Sequence, residues 1–138
     1  MPVVGIGGLM FRAKDPERLK AWYREHLGIG GGCLPEGDGS GWRPGTGPAP
    51  GDPGNEYFWY PQPGPMVFSL FDETSDHIPP DKRLMINLRV RDMDGLAAQL
   101  RAAGIAIAKD ESFPGVGRFV RIHDLEGNPI ELWEPPAC

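Results

Sequence analysis

The chain has 138 residues, an apolar fraction of 40% and a formal net charge of −5 at pH 7. This length suits one domain, or two small repeats that share a core. The negative charge disfavours general nucleic-acid binding, and no run of about 18 apolar residues exists to span a membrane. No basic region precedes an apolar core near the N-terminus, and two cysteines make only a weak case for a disulfide. We therefore expect a reduced, cytoplasmic protein.

The first part of the chain predicts a strand, a helix and two further strands. Residues 1–13 open the chain as a strand. A helix begins after Asp15, which is followed by a proline and an acidic residue, and the helix ends at Gly28. Two further strands are predicted at 56–60 and 66–71 because short apolar runs there flank a turn-forming Pro-Gln-Pro-Gly.

A glycine-rich stretch interrupts this first part. Residues 30–55 hold ten glycines and five prolines, a composition that cannot sustain a helix. The stretch is predicted to form a long loop in which residues 35–54 are the most mobile part of the chain. A polar linker follows at 72–82 and separates the two halves.

The same order of elements begins again after the linker. Alternating side chains predict a strand at 84–90, and Asp92 caps a helix that Gly104 ends. Residues 105–108 are predicted to form a short strand, and a closing hairpin spans 117–136.

The closing hairpin has one apolar face and one mixed face. Its turn at 124–128 begins with aspartate and has glycine near its end, which suits a type I turn closed by a left-handed residue. Successive strand residues face opposite sides. The apolar face carries Val120, Ile122, Ile130 and Leu132, and the mixed face carries Phe119, Arg121, His123, Glu131 and Trp133. A solvated face is usually more uniformly polar, so the mixed face is typical of a cavity lining.

The two halves form an internal repeat. FRAKDPERL at 11–19 aligns with LRVRDMDGL at 88–96, a shift of 77 residues that keeps strand, helix cap and helix in register. We predict one domain over 1–138, made of a βαβββ repeat at 1–71, the linker, and a second βαβββ repeat at 83–138. Each repeat is too small to bury its own core, so the two should pair. The predicted core consists of Leu19, Trp22, Leu96, Leu100, Val120, Ile122, Ile130 and Leu132.

Two segments, DPERLKAWYREHLGI and HDLEGNPIELWEP, together with the two repeats, resemble the vicinal oxygen chelate superfamily. This superfamily includes glyoxalase I, extradiol dioxygenases and bleomycin-resistance proteins. The resemblance implies an α+β fold in which each repeat curls its sheet into a half-barrel of a curved mixed sheet. The helices would pack outside, and the concave side would hold the ligand. It also implies a homodimer in which two chains build each cavity.

The resemblance also bears on metal binding. Metal-using members carry a carboxylate where Glu131 stands, but their other ligand positions fall near Gly8, Met85 and Ser69 in this sequence. Glycine offers no donor atom, and a thioether is too soft for the ions concerned. We therefore expect no cofactor. Glu131 is the expected ligand if zinc, iron, nickel or manganese is bound.

Alternation and the repeat together predict the cavity wall. The candidate ligand-binding residues are Arg12, Met85, Asn87, Arg89, Phe119, Arg121, His123, Glu131 and Trp133, with Trp59 or Tyr60 as a cap. Guanidinium groups bind carboxylates and phosphates in bidentate fashion, so the arginines favour an anionic ligand. Alternatively, they pair with Glu131 or with acids across a dimer interface. His26 is expected at a helix end and His77 on the solvated surface.

Two functions of different classes follow. In the first, the protein binds a small organic molecule, with anionic ones favoured, and uses no metal. In the second, it is a metal-dependent lyase, isomerase or dioxygenase with Glu131 as one ligand. Metal-free acid–base catalysis by His123 and Glu131 is a third alternative. The expected partners are a small molecule and a second copy of the chain, with no nucleic acid and no membrane. A buried Glu131 without a metal should pair with a cationic neighbour.

Overall fold

The computed structural model describes residues 2–3, 5–30, 48 and 52–137. Nearly all of the segment predicted to be most mobile, 35–54, lies outside these residues, as do Cys33 and Cys138. Within the described ranges, neither helix has the length and apolar character needed to cross a bilayer.

Helix α1 spans Pro16–Leu27 and is bounded as the sequence predicts. The Asp15 side chain accepts a hydrogen bond from the backbone N–H of Arg18 at 3.2 Å, which satisfies one of the free donors of the first turn. At the other end Gly28 has a φ of 66°, the left-handed conformation that closes a helix. Leu19 and Trp22 are buried along one side of the helix.

Helix α2 spans Met93–Ala102 and repeats this construction. The Asp92 side chain accepts from the N–H of Gly95 at 3.1 Å. Asp92 is the only non-glycine residue with a positive φ, 54°, in the described part of the chain. A Cβ on Gly95 would collide with the Asp92 carboxylate, so this tight cap requires glycine at that position. Gly104 follows with a φ of 78° and ends the helix as predicted.

Four strands form one mixed sheet. They are β1 (Ile86–Arg89), β2 (Lys109–Phe113), β3 (Gly117–His123) and β4 (Pro129–Glu134). Their order is β1-β4-β3-β2, with β1 parallel to β4 and the other two pairs antiparallel. The second repeat therefore has the predicted β-α-β-β-β order.

The predicted strand at 105–108 is wrong, because the strand lies at Lys109–Phe113 instead. Residues 105–108 connect α2 to the sheet, and Ile105 and Ile107 pack against the core on the way. The Lys109–Phe113 strand is exposed along its whole length and lies at the sheet edge, so it has no apolar face to mark it in the sequence. It is fixed by pairing with β3 and by the ion pair of Asp110 with Arg118 at 2.9 Å.

The core lies between the helices and one face of the sheet. Trp22 from α1, and Met93 and Leu100 from α2, pack on apolar side chains of β3 and β4. Seven of the eight residues predicted to form the core are buried in the structure: Leu19, Trp22, Leu100, Val120, Ile122, Ile130 and Leu132. Leu96 is only partly buried and packs at the margin of this core. Both helices therefore cover the apolar face, which leaves the mixed face of the sheet on the opposite side.

The turn between β3 and β4 fastens α1 to the sheet. Buried Asp124 accepts hydrogen bonds from the backbone N–H groups of Glu126 and Asn128, at 2.9 and 3.0 Å. Its other oxygen accepts from the Tyr23 hydroxyl at 2.7 Å. Burial, and then this bond to a carboxylate, raises the pKa of Tyr23 above its ordinary value. Glu126 in turn accepts from the N–H of Lys14 at 2.7 Å, just before α1 begins.

The first repeat contributes α1 to this fold, but its predicted strands are not formed in the described residues. Residues 5–13 and 61–71 carry no helix or strand, and residues 55–57 form a short 3-10 helix. The α+β class with a mixed sheet is confirmed, whereas these strand predictions are wrong for the single chain. A strand requires a hydrogen-bonded neighbouring strand, and among the described residues these segments are paired with none, apart from an isolated bridge at Trp59. Their apolar side chains are exposed, among them Met10, Met66, Phe68 and Leu70.

Candidate functional site

Strand pairing places four polar side chains in a row across the mixed face. Asn87 of β1 is paired with Glu131 of β4, Glu131 with Arg121 of β3, and Arg121 with Lys109 of β2. Residues directly opposite each other on paired strands project on the same side of the sheet. The row therefore crosses the whole sheet on the side away from the helices, and we call it the polar row.

Glu131 lies at the centre of the polar row and is 7% exposed. One carboxylate oxygen accepts a hydrogen bond from the Asn87 amide at 2.8 Å. The other lies 3.1 Å from Nε2 of His77 and 3.9 Å from Nη2 of Arg121. The expected pairing of Glu131 with a cationic neighbour is thus present, and both oxygens of the buried carboxylate have polar partners.

Arg121 is the buried cation of the polar row and is also 7% exposed. Its Nη2 donates to the backbone carbonyl of His77 at 2.7 Å. Its Nε is buried and has no hydrogen-bond partner among the described residues. A buried donor without a partner is costly, and such exceptions in folded proteins call for an explanation.

His77 comes from the linker and is one of the site residues that no pattern in the sequence predicts; the others are Lys109, Glu111, Phe113 and Val116. It is predicted to be a solvated surface residue, and its side chain is 38% exposed, but its imidazole also contacts Glu131 and stacks on Phe71 at 4.7 Å between ring centroids. The linker turns back toward the sheet through a local turn, in which Asp72 accepts from the N–H and hydroxyl of Thr74. These bonds lower the pKa of the exposed Asp72. The Asp-Glu-Thr-Ser sequence was the available signal for that turn.

Above the polar row lies a cavity of about 200 Å³. Its described lining residues are His77, Lys109, Glu111, Phe113, Val116, Phe119, Arg121 and Glu131. The charged groups lie along the polar row and on β2, and the aromatic rings lie toward the β2–β3 turn. The cavity therefore combines a polar floor with an apolar end, as small-molecule sites usually do.

The apolar end of the cavity is built from packed aromatic rings. Phe119 stacks on Trp133 with 6.2 Å between centroids and meets Phe113 edge-on at 6.0 Å. The Trp133 indole N–H donates to the carbonyl of Val116 at 2.9 Å, which fixes the ring against the β2–β3 turn. Gly117 makes this possible, because a Cβ there would collide with the backbone of Glu134, and its φ is 122°.

The other predicted site residues are not brought together. Arg12 is exposed on the unpaired N-terminal segment. Arg89 donates to the carbonyls of Gln62 and Pro65, at 2.9 and 3.3 Å, and so holds a loop rather than a ligand. His123 is exposed at the end of β3, and Met85 lies just before β1; neither lines the cavity.

Trp59, the predicted cap, lies elsewhere. It lines a second cavity of about 330 Å³ beside the end of α1, together with Leu88 and Leu132. Alternation along β3 and β4 places Phe119, Arg121, Glu131 and Trp133 on the mixed face, as predicted, whereas His123 lies outside the cavity at the end of β3. It could not place Trp59, because that residue forms only an isolated β-bridge and lies outside the four strands of the sheet.

The donor set on the polar face does not match a conventional metal site. In the part of the chain that the structure describes, no three His, Cys, Asp or Glu side chains are grouped as metal ligands. Glu131 and His77 supply two donors, and the guanidinium of Arg121 lies 3.9 Å from the same carboxylate oxygen. Zinc and iron sites use about three protein ligands in fixed geometry, and a neighbouring cation opposes a divalent ion.

Comparison with solved structures supports the fold. An antibiotic binding protein, TnmS3, from Streptomyces sp. CB03234 has 23% identity and a TM-score of 0.55, with 99% of each chain covered. A lactoylglutathione lyase from Agrobacterium tumefaciens has 17% identity and a TM-score of 0.51, covering 97% of this chain and 96% of that one. At these identities the likeness concerns the fold alone.

A superfamily member from Sphaerobacter thermophilus DSM 20745 has 32% identity, but the match covers 36% of this chain and 40% of that one, with a TM-score of 0.33. No curated protein matches the chain. A family model, described as Glyoxalase/Bleomycin resistance protein/Dioxygenase superfamily, matches residues 5–132. The chain therefore belongs to the glyoxalase/bleomycin resistance protein/dioxygenase superfamily.

Proposed function

We propose that this protein binds a small organic molecule in the cavity above the polar row, without a conventional metal site. The observation that carries the proposal is Arg121. It is a nearly buried cation on the cavity wall, and its Nε has no hydrogen-bond partner among the described residues. An acceptor oxygen from a ligand would satisfy this donor once the site opens.

A carboxylate is the acceptor that fits Arg121 best. Hydrogen bonds between guanidinium and carboxylate are short and about twice as strong as neutral ones. Lys109 lies beside Arg121 in the polar row and adds a second cation to the cavity wall. Glu131 and Glu111 are on the same wall, so the ligand also needs a part that tolerates or bonds to carboxylates.

The aromatic end of the cavity supports an organic rather than an inorganic ligand. Phe113 and Phe119 present ring edges and faces next to the charged floor. A ligand that combines an apolar or aromatic body with one acid group would use both halves of the cavity. TnmS3, a protein of similar fold, is described as an antibiotic binding protein, which supports a binding role for such a cavity.

We also propose that the functional unit is a homodimer. The first repeat leaves large apolar side chains exposed, with Phe68 84% and Leu70 83% exposed. Strand β1 lies at an edge of the sheet, with one side unpaired within the described residues. Unpaired edges and exposed apolar segments favour pairing with another chain. Light scattering should give twice the chain mass of 15.1 kDa, and a constant single-chain mass over a wide concentration range would contradict this proposal.

Elemental analysis and thermal shift together test the binding function. Protein purified without an affinity tag should contain no stoichiometric zinc, iron, nickel or manganese. Benzoate or naphthalene-2-carboxylate should raise Tm, and Arg121→Gln should abolish that increase. Arg91→Gln, a change on the segment between β1 and α2, is the matched control and should retain the increase.

The opposite result would favour an enzyme. Near-stoichiometric metal that is lost in Glu131→Gln would overturn the metal-free proposal and support a metal-dependent lyase, isomerase or dioxygenase. His77, which lies 3.1 Å from Glu131, would then be the second ligand to examine. Stabilisation by carboxylates that persists in Arg121→Gln would contradict the assigned role of Arg121.

A further inference from the structure

His77 lines the cavity and makes three different contacts. Its ring stacks on Phe71 with an interplanar angle of 19°. Its Nε2 lies 3.1 Å from the Glu131 carboxylate, and its backbone carbonyl accepts from Nη2 of Arg121 at 2.7 Å. One residue thus provides a flat ring, a polar hydrogen on that ring and a carbonyl oxygen a short distance away.

The linker that carries His77 is otherwise shaped by local bonds. The N–H of Ser75 donates to the Asp72 carbonyl at 3.0 Å, and the N–H of Lys82 donates to the Pro79 carbonyl at 2.9 Å. These bonds form turns within the linker and do not join it to the sheet. The contacts of His77 with Glu131 and Arg121 do join it to the sheet, so loss of those contacts would free the segment to move.

We infer that His77 occupies the binding site as an internal stand-in for the ligand, which displaces it on binding. This inference rests on the proposed function and specifies the ligand class. The ligand is a flat aromatic molecule with a ring N–H next to a carbonyl or carboxylate. The N–H takes the place of the imidazole on Glu131, and the oxygens take the place of the His77 carbonyl on Arg121.

The unpartnered Nε of Arg121 explains why a ligand would compete successfully. The backbone carbonyl of His77 bonds to Nη2, and Nε remains without a partner among the described residues. A carboxylate has two oxygens in the geometry that matches the guanidinium fork, so it can bond to Nε and Nη2 together. The ligand would therefore satisfy one more donor than His77 does.

Indole-2-carboxylate is a probe with these features, and 1-methylindole-2-carboxylate is its matched control without the N–H. Titration calorimetry should show that the wild-type protein binds the first about tenfold more tightly than the second, the scale of one hydrogen bond to a charged group. His77→Ala should bind indole-2-carboxylate about tenfold more tightly than wild type, because the internal competitor is gone. Glu73→Ala, which changes an exposed linker side chain, should leave the affinity unchanged.

Hydrogen exchange distinguishes displacement from closure of the linker. Indole-2-carboxylate should speed amide exchange across residues 72–82 of the wild-type protein. His77→Gln keeps a side-chain donor and should fall between wild type and His77→Ala, which guards against an effect of misfolding. Slower linker exchange with the probe, or weaker binding by His77→Ala, would overturn the inference and make His77 a direct ligand contact.

The same experiment separates this inference from the proposed function. If naphthalene-2-carboxylate stabilises the protein but the two indole probes bind equally, the ligand class assigned here fails and the binding function stands. If neither the carboxylates nor the indole probes bind to wild type or His77→Ala, both fail.

Discussion

Within a single chain the second repeat forms a complete sheet, whereas the first repeat forms, of its predicted elements, only helix α1 in the described residues. The second repeat closes its four strands into a sheet whose core residues Val120 and Ile122 are fully buried. The first repeat forms α1, yet in its predicted strands Met10 is 98% exposed and Phe68 is 84% exposed. Helices make their hydrogen bonds within one segment, whereas strands depend on a neighbouring strand. Similar sequences therefore give a common helix but not a common sheet.

The largest expected effect comes from truncating the core of the second repeat. Leu132→Ala should lower the free energy of unfolding by about 3 kcal/mol, because a fully buried leucine leaves a cavity. Leu70→Ala, at an 83% exposed position of the first repeat, should change it by less than about 0.5 kcal/mol in dilute protein. Urea denaturation measures both.

A similar loss of unfolding free energy in Leu132→Ala and Leu70→Ala would contradict the claim that the second repeat is packed within one chain and the first is not. If the loss of unfolding free energy in Leu70→Ala grows with protein concentration, a second copy of the chain covers the first repeat, and the difference between the repeats then holds only for the single chain.

Removing the hydrogen bond between the repeats should have an intermediate effect on stability. Tyr23→Phe removes the hydroxyl that donates to Asp124 at 2.7 Å and should cost about 1.5 kcal/mol of unfolding free energy. Tyr57→Phe, at a 76% exposed position, is the matched control and should be neutral. Equal thermal denaturation curves for the two variants would show that this bond does not hold α1 on the sheet.

The raised pKa of Tyr23 predicts that the stability of the fold decreases at alkaline pH. The pKa of Tyr23 is raised by burial and by the Asp124 carboxylate, so its contribution is fully present below the unfolded pKa of about 10 and is lost as pH rises above it. Unfolding free energy measured between pH 9 and about 11 should fall more steeply in wild type than in Tyr23→Phe. Parallel pH profiles would refute this assignment.

The smallest expected effect lies at the edge of the second repeat. Arg118 donates to Asp110 at 2.9 and 3.0 Å, and this lowers the pKa of that carboxyl. A depressed pKa stabilises the fold above the unfolded value of 3.8, and the contribution is lost as pH falls through the folded pKa. Arg118→Gln should slightly flatten the acid side of the stability profile. An unchanged acid profile would show that this exposed pair is screened by solvent.

Part of the site could be predicted from sequence, and the reason is strand alternation. Phe119, Arg121, Glu131 and Trp133 lie on the mixed face, as the two-residue period of β3 and β4 predicts. Asn87 follows from the same rule on β1. Arg12 is predicted by analogy between the repeats, and that analogy fails because the first repeat contributes no strand to the sheet in the described residues. Repeat symmetry in sequence did not guarantee the same symmetry in contacts.

Local chemistry in the sequence determined the helix ends at Asp15, Gly28 and Asp92 and the turn that begins at Asp124. Each of these depends on hydrogen bonds between residues a few positions apart. The sequence also determined which side of each hairpin strand is apolar.

Only the tertiary structure decided what meets Glu131. His77 lies 54 positions away in the chain (131 − 77) and reaches the carboxylate because the linker turns back over the sheet. The edge strand Lys109–Phe113 was likewise decided by its pairing with β3 rather than by any pattern of its own. Contacts between distant segments depend on how whole elements pack. The periodicity of one segment does not indicate which other segment pairs with it.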